Sequence, residues 1–333
     1  MNLSINYLGL ELSNPIVVGA SPLSRNVDVA KQCEAAGAGA IVMYSLFEEQ
    51  LLAEQRATDR AMRDVADSFA EAVSYFPEQE DFEVGPDEYL ELLGKLKRSL
   101  SIPVIASLNG TTRGGWLRYA QMMQQAGADA IELNTYGLAT ETSVPGSAIE
   151  DQLVLLVREL KERISIPLTV KLSPFYSSLP HLALRLTDAG AGGLVLFNRF
   201  LQPDLDVENL EVVRVNLSDE SELLLRLHFA AILFGRVGCD LTVSGGAHSA
   251  LDIVKAIMAG ASTVQMVSAL LRNGPQHIAR VKADLNRWLV DHEYESVAQM
   301  RGSMSLLRCP DPGQYVRQNY MQLLDNWRAA SSK

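Results

Sequence analysis

The sequence predicts an α/β fold, a parallel sheet wrapped by helices, on three observations. First, one short phrase recurs four times: Ala36-Gly37-Ala38-Gly39, Ala126-Gly127-Ala128-Asp129, Ala189-Gly190-Ala191-Gly192 and Ala259-Gly260-Ala261-Ser262, each leading into an apolar run. Glycine just past a helix accepts the left-handed backbone that ends it, and the runs that follow suit strands buried on both faces. Second, helix-like and strand-like segments alternate along the chain, the order that builds a parallel sheet. Third, 333 residues with 47% apolar content can form one large barrel with a sizeable core, and no linker divides them. A single domain over residues 1–333 follows.

The elements justify themselves in order. Residues 3–12 alternate around Gly9 and predict a hairpin that plugs the bottom of a barrel. Asn14-Pro15 introduces a first barrel strand over 16–20, followed by a helix over 27–36 and a strand over 40–44. Residues 45–85 are a polar, charged insertion with breakers at Phe76-Pro77 and Gly85-Pro86. Insertions this long are usually functional, which predicts a lid or a partly helical excursion. Helices over 89–100, 117–125, 150–163 and 182–188 alternate with strands over 102–106, 130–134, 166–171 and 193–197, and 135–146 is a loop. Residues 198–220 form a second polar excursion, expected to be a hairpin, before a helix over 223–236. A strand over 241–244, a helix over 250–258 and a strand over 263–267 complete the series. Eight strands alternating with helices make a (β/α)8, or TIM, barrel with an N-terminal hairpin and top-face loop insertions. A helix over 281–290 and a polar tail from Met300 end the chain.

Composition narrows the function classes. A net charge of −11 leaves no basic stripe to neutralise phosphates, which argues against nucleic acid but not against a small anionic ligand. Cys33, Cys239 and Cys309 are far apart and lack metal or iron–sulfur spacing, so no metal is expected and the setting is reduced. The N-terminus lacks a basic leader, and the longest apolar stretch, 229–234, is too short to span a bilayer. A soluble, cytoplasmic protein is expected.

Barrel ligands bind at the C-terminal ends of the strands. Those ends read Ala20-Ser21, Tyr44-Ser45, Asn109, Asn134, Lys171, Asn198-Arg199, Ser244-Gly245-Gly246 and Val267-Ser268. In Ser244-Gly245-Gly246-Ala247-His248-Ser249, glycines let backbone N–H groups approach a phosphate at a helix start. Val267-Ser268 would complete that cup; the alternative is a glycine turn with an ordinary Ser249/Asp252 helix cap. Lys171 closes an otherwise apolar strand and needs a partner. It can form a Schiff base, hold the anionic edge of a reduced flavin, or pair with Glu132. Asn134 can bond a heterocycle, and Arg199 beside a strand end suits a carboxylate or phosphate. His248 lies in the proposed phosphate loop without a proton relay, and Arg236 reads as a helix C-terminal charge.

Taken in order, Asn14-Pro15-Ile16, Glu132-Leu133-Asn134, Val170-Lys171-Leu172, Phe197-Asn198, Ser244-Gly245-Gly246 and Gln265-Met266-Val267-Ser268-Ala269-Leu270 resemble the dihydroorotate dehydrogenase family of flavin barrels, over essentially the whole chain. The resemblance implies FMN as cofactor, with Ala20, Ser21, Ser45, Asn109 and Asn134 around it. Lys171 would sit beside the ring, with Gly245, Gly246, Val267 and Ser268 around the phosphate. Asn198 would face the substrate, and Lys171 would be the catalytic side chain at the ring. From the residues themselves, Tyr44 and Arg199 are further substrate-side candidates, and Tyr136, like Tyr44, is either a proton donor over the flavin or a residue that stacks and shapes the pocket.

The departures fall on the substrate side. Tyr44 stands where the family has a lysine, and residues 72–77 keep only the proline of its asparagine-rich loop. Gly137 stands where the family has a cysteine or serine base, and Arg199 where it has a small hydroxyl residue. Residues 196–204 and 300–305 are similar to a divergent branch of the family. The implied activity is CH–CH hydride transfer to flavin, within pyrimidine biosynthesis by resemblance, with a substrate open to change because glycine cannot accept a proton. A small anionic substrate, a diffusible or protein electron acceptor, and a homodimer are also implied. A Schiff-base lyase or aldolase using Lys171, and a non-catalytic flavin-binding subunit, remain alternatives.

Overall fold

The computed structural model describes residues 1–48, 86–109, 113–135, 139–199, 204–213 and 217–316. In chain order the strands are β1 (Ile5–Tyr7), β2 (Leu10–Leu12), β3 (Ile16–Val18), β4 (Ala40–Phe47), β5 (Val104–Asn109), β6 (Ala130–Asn134) and β7 (Leu168–Leu172). They continue with β8 (Gly193–Leu196), β9 (Asp204–Asp206), β10 (Glu211–Val213), β11 (Asp240–Ser244) and β12 (Thr263–Met266). β3 to β8, β11 and β12 close one barrel in sequence order, with β12 paired back to β3. Every barrel pairing is parallel. The expected (β/α)8 barrel is therefore present. So are the N-terminal hairpin, β1–β2, and a hairpin within 198–220, β9–β10.

The recurring phrase does two jobs. Its glycines, Gly37, Gly127, Gly190 and Gly260, lie at φ of +97°, +96°, +105° and +129°. The alanine that follows each one donates its N–H back into the helix: Ala38 to Cys33 O (3.0 Å), Ala128 to Met123 O (3.1 Å), Ala191 to Leu186 O (3.0 Å) and Ala261 to Ala256 O (2.9 Å). These are the helix-closing bonds that a left-handed cap permits. The fourth residue then donates to the preceding strand: Gly39 to Ile16 O, Asp129 to Val104 O, Gly192 to Leu168 O and Ser262 to Leu241 O, at 2.7–3.0 Å. One four-residue phrase thus ends a helix and sets the register of the next strand.

The bottom of the barrel is sealed around Asp240. Its Oδ2 accepts the Leu8 N–H at the tip of the β1–β2 hairpin (2.8 Å), and its Oδ1 accepts the Ser262 hydroxyl (2.6 Å) and an Arg301 N–H (3.5 Å). The Leu8 side chain fills the space above Gly193, where an added Cβ would lie 2.9 Å from Leu8 Cδ2. The hairpin is therefore held by one carboxylate and by the lack of a side chain at the foot of β8.

Some expectations need correction. The polar tail expected from Met300 is instead packed against the barrel's helices up to Leu306. Met300 is fully buried, and Gly302, Met304 and Leu306 donate N–H bonds to Ile257, Met258 and Ala231 carbonyls. Backbone docking of this kind leaves no side-chain periodicity to read. A short helix, Ser268–Asn273, follows β12 and was not expected. β4 and β5 run further toward the top than expected, to Phe47 and Asn109, whereas the first barrel strand stops at Val18 rather than residue 20. The expected lid lies mostly within 49–85, outside the described residues.

Asp240→Ala leaves the Leu8 N–H and the Ser262 hydroxyl without their acceptor and Arg301 without its carboxylate, so it is expected to lower stability by about 2–3 kcal/mol. Urea unfolding at fixed pH measures this.

Candidate functional site

At the C-terminal ends of the strands a small, partly open cleft of ≈ 170 Å³ is found, the place where barrel ligands bind. The expected residues Ala20, Lys171, Asn198, Arg199, Gly245, Gly246, Val267 and Ser268 all line it. Chain topology explains the gathering: each follows or ends a barrel strand, and closure brings β3, β7, β8, β11 and β12 around one axis.

One wall is the loop after β11. Gly245 and Gly246 lie at φ of +99° and +79°, and the N–H groups of Gly245, Gly246 and Ala247 meet no acceptor among the described residues. Successive free N–H groups in such a turn form an anion-binding concavity. A Cβ on Gly246 would fall 2.4 Å from Leu223 N, so this turn requires glycine. Beyond it, the His248 and Ser249 N–H groups donate to Asp252 Oδ2, and Ser249 and Asp252 form a reciprocal capping box. The two readings of this loop are compatible, because the cap engages residues 248–249 and leaves 245–247 open. Across the cleft, the Ser268 hydroxyl is paired with that of Ser218 at 2.6 Å.

The floor is a buried ionic network. Lys171 Nζ donates to Glu132 Oε1 and to Gln265 Oε1, each at 3.3 Å, and Gln265 Nε2 donates to Glu132 Oε2. Of the three roles open to Lys171 in the sequence, the pairing with Glu132 is the one seen. The sequence assigns Gln265 no role of its own, because Thr263-Val264-Gln265-Met266 reads as an apolar run. The signal was its alternation, with Thr263 and Gln265 on the same strand face.

Asn198 extends the site sideways. Its Nδ2 donates to Asn134 Oδ1 (2.7 Å), Asn134 Nδ2 donates to Ser45 Oγ (3.2 Å), and Ser45 and Ser107 hydroxyls meet at 2.8 Å. Asn134 and Ser45 are thereby joined to the cleft without lining it. Asn109 is buried at the end of β5, also off the wall. Ser21 is buried just past Ala20, and its Oγ has no hydrogen-bond partner among the described residues. Tyr44 packs its ring against Tyr89 (centroids 5.1 Å apart), with the Arg25 guanidinium 4.6 Å above it. Tyr136 and Gly137 lie outside the described residues.

Two further charged residues support the rim. Arg226 is buried beneath the glycine loop; its Nε donates to Ser244 O, and its Nη2 donates to Glu222 Oε2 (3.2 Å). Glu222 Oε1 also faces Arg199 Nε at 3.5 Å. Burial pulls the Arg226 pKa down, while Glu222 opposes that shift. Sequence reading missed this pair, although its i,i+4 spacing was visible.

Gly246→Ala forces a side chain against Leu223 at positive φ, so it is expected to cost about 1–3 kcal/mol. Thermal unfolding checks this.

Comparison with known proteins agrees with this geometry. The dihydroorotate dehydrogenase family model matches residues 2–289. A dihydroorotate dehydrogenase B (NAD(+)) catalytic subunit from Thermoplasma acidophilum is 27% identical over 310 residues, covering 90% of this chain and 98% of the relative. A putative dihydroorotate dehydrogenase A (fumarate) from Aeropyrum pernix is 26% identical over 309 residues, covering 90% and 96%. Another B-type catalytic subunit, from Methanocaldococcus jannaschii, is 25% identical over 286 residues, covering 82% and 88%. With a family match over most of its length and a closed parallel barrel whose cleft lies at the strand ends, the chain belongs to the dihydroorotate dehydrogenase family.

Proposed function

We propose that this chain is an FMN-dependent oxidoreductase that transfers hydride between the flavin and a C–C bond of a small anionic substrate. The observation that carries the reading is one cleft with open backbone N–H groups at its glycine wall and a buried lysine at its floor. Both features fit FMN. The N–H groups of Gly245, Gly246 and Ala247 suit a phosphate, and the partnerless Ser21 Oγ is a buried hydroxyl awaiting a polar neighbour. Bound FMN would supply the hydride-accepting ring, the chemistry that no side chain here provides.

The chain's own residues then divide the remaining work. Gly245, Gly246, Val267 and Ser268 hold the phosphate end, and Ala20 and Ser21 flank the opening beside β3. Lys171 donates to the edge of the ring where negative charge develops on reduction. Asn134, supported by Ser45, and Asn109 contribute amides on the β5–β6 side. Asn198 and Arg199 bind and orient the substrate, with Arg199 offering charge to a carboxylate or phosphate. Tyr44 shapes the substrate end, and Tyr136 is the proton donor in the direction that reduces the substrate, while Gly137 offers no base for the reverse direction.

Dihydroorotate, named in the relatives' activity, is the first substrate to test. Those relatives' names divide between NAD(+) and fumarate, so the acceptor is a diffusible molecule or a partner protein. A homodimer in the cytoplasm suits the reading. Among the described residues no helix is long and apolar enough to cross a membrane, and no three acidic, histidine or cysteine side chains form a metal-holding group.

The purified protein is expected to carry visible flavin absorbance, or to gain it when FMN is added, and Lys171→Ala should weaken retention about tenfold or more. Anaerobic dihydroorotate that bleaches the flavin assigns the family substrate. Bleaching only by another small anionic donor assigns a changed one. A colourless protein that cannot be reconstituted overturns the proposal, and reduction by borohydride that traps a carbonyl substrate on Lys171 would replace it with Schiff-base chemistry.

A further inference from the structure

The barrel interior contains a carboxylate that does not reach the cleft yet determines what its floor presents. Glu132 is fully buried on β6 and does not line the cleft, whereas Lys171 on β7 and Gln265 on β12 do. Its Oε1 accepts from Lys171 and its Oε2 from Gln265, and Lys171 also donates to the Gln265 carbonyl oxygen, so the three side chains close a ring. That ring settles the amide's orientation. A flipped Gln265 would turn its NH2 toward an ammonium and its oxygen toward a carboxylate. With these bonds made, Lys171 keeps one of three N–H donors and Gln265 one of two.

We propose that Glu132 is a positioning residue that holds Lys171 and Gln265 as a paired donor for an oxygen or nitrogen acceptor of the ligand in the cleft. Among the described residues, the other ionisable groups acting on this interior are Tyr7 from β1, Tyr44 from β4, Tyr89 from the helix Pro86–Ser99, and Asp240 at the foot of β11. Burial drives the Tyr7 and Tyr89 phenols up, so they stay neutral. Asp240 is engaged by Leu8, Ser262 and Arg301. Glu132 is therefore the carboxylate that balances Lys171.

The test compares thermal unfolding of wild type, Glu132→Gln, Lys171→Met and the double variant, without added ligand, from pH 6 to pH 9. Glu132→Gln leaves a buried ammonium without a counter-charge, whose folded pKa then drops below its unfolded value. Between those two values the unfolded chain binds more protons, so the variant gains stability as pH rises. Glu132→Gln is expected to melt well below wild type at pH 6, to recover about half of that deficit by pH 9, and to be rescued by Lys171→Met. A Glu132→Gln chain that fails to fold while the double variant folds gives the same support. A deficit that is equal across the pH range and additive with that of Lys171→Met overturns the proposal, as does a double variant that cannot fold. A second arm rests on the flavin reading: Glu132→Gln should weaken FMN retention about tenfold, and unchanged retention overturns the positioning role. A wild type that never binds FMN removes the flavin reading and leaves the melting curves to decide on Glu132.

Discussion

The pairing of Lys171 with Glu132 is the constraint around which the rest of the molecule is arranged. Both charges lie inside the barrel, 3.3 Å apart, with exposures of 6% for Lys171 and 0% for Glu132. Removing a charge from water costs several kcal/mol even after relaxation, so each ion is tolerable only with its partner and the added Gln265 bonds. Such a pair gains little stability over a well-packed apolar core. Its value lies in definition: it joins β6, β7 and β12 across the barrel axis and leaves a charged donor at the floor of a cleft. The neighbouring interior positions follow suit, with Ser45 on Ser107 and Thr242 on Thr263, at 2.8 and 2.7 Å.

Above that floor, the loop after β11 separates two roles that often compete. The helix Ala250–Ala259 is capped by Ser249 and Asp252, which engage the N–H groups of His248, Ser249 and Asp252. The N–H groups one turn earlier, at Gly245 to Ala247, are the open ones. Arg226 braces the loop from beneath through Ser244 O, and Glu222 links it to Arg199 on the substrate side. The glycine wall and Arg199, the proposed cofactor and substrate contacts, thus share one brace.

The barrel was legible because its signal is local. A glycine at positive φ, an alanine closing the helix and a fourth residue bonded to the neighbouring strand lie within four consecutive positions, and they recur. The polar interior was less legible, because Thr263-Val264-Gln265-Met266 and Thr242-Val243-Ser244 contain enough apolar residues to pass for uniform buried runs. Lys171 was conspicuous as a lone charge, yet its second partner, Gln265, depends on closure between strands far apart in sequence. The docked segment after Met300 was hard to read for another reason: three of its docking contacts are backbone bonds to Ile257, Met258 and Ala231, which leave no side-chain pattern. Tyr44 reads as a strand end but lies within β4, which runs on to Phe47, and its packing between Arg25 and Tyr89 comes from neighbours that its own motif does not name.

Of the residues proposed for the cofactor, Ala20, Lys171, Gly245, Gly246, Val267 and Ser268 line one cleft, which the departure Arg199 shares, whereas Ser45, Asn109, Asn134 and Tyr44 lie off its wall. The most direct test of the account is a crystal structure of the protein grown with FMN. The account predicts the phosphate within hydrogen-bonding distance of the Gly245, Gly246 and Ala247 N–H groups, and the edge of the ring against Lys171 and Gln265. An FMN bound elsewhere, or a cleft that takes no FMN at saturating concentration, would contradict it.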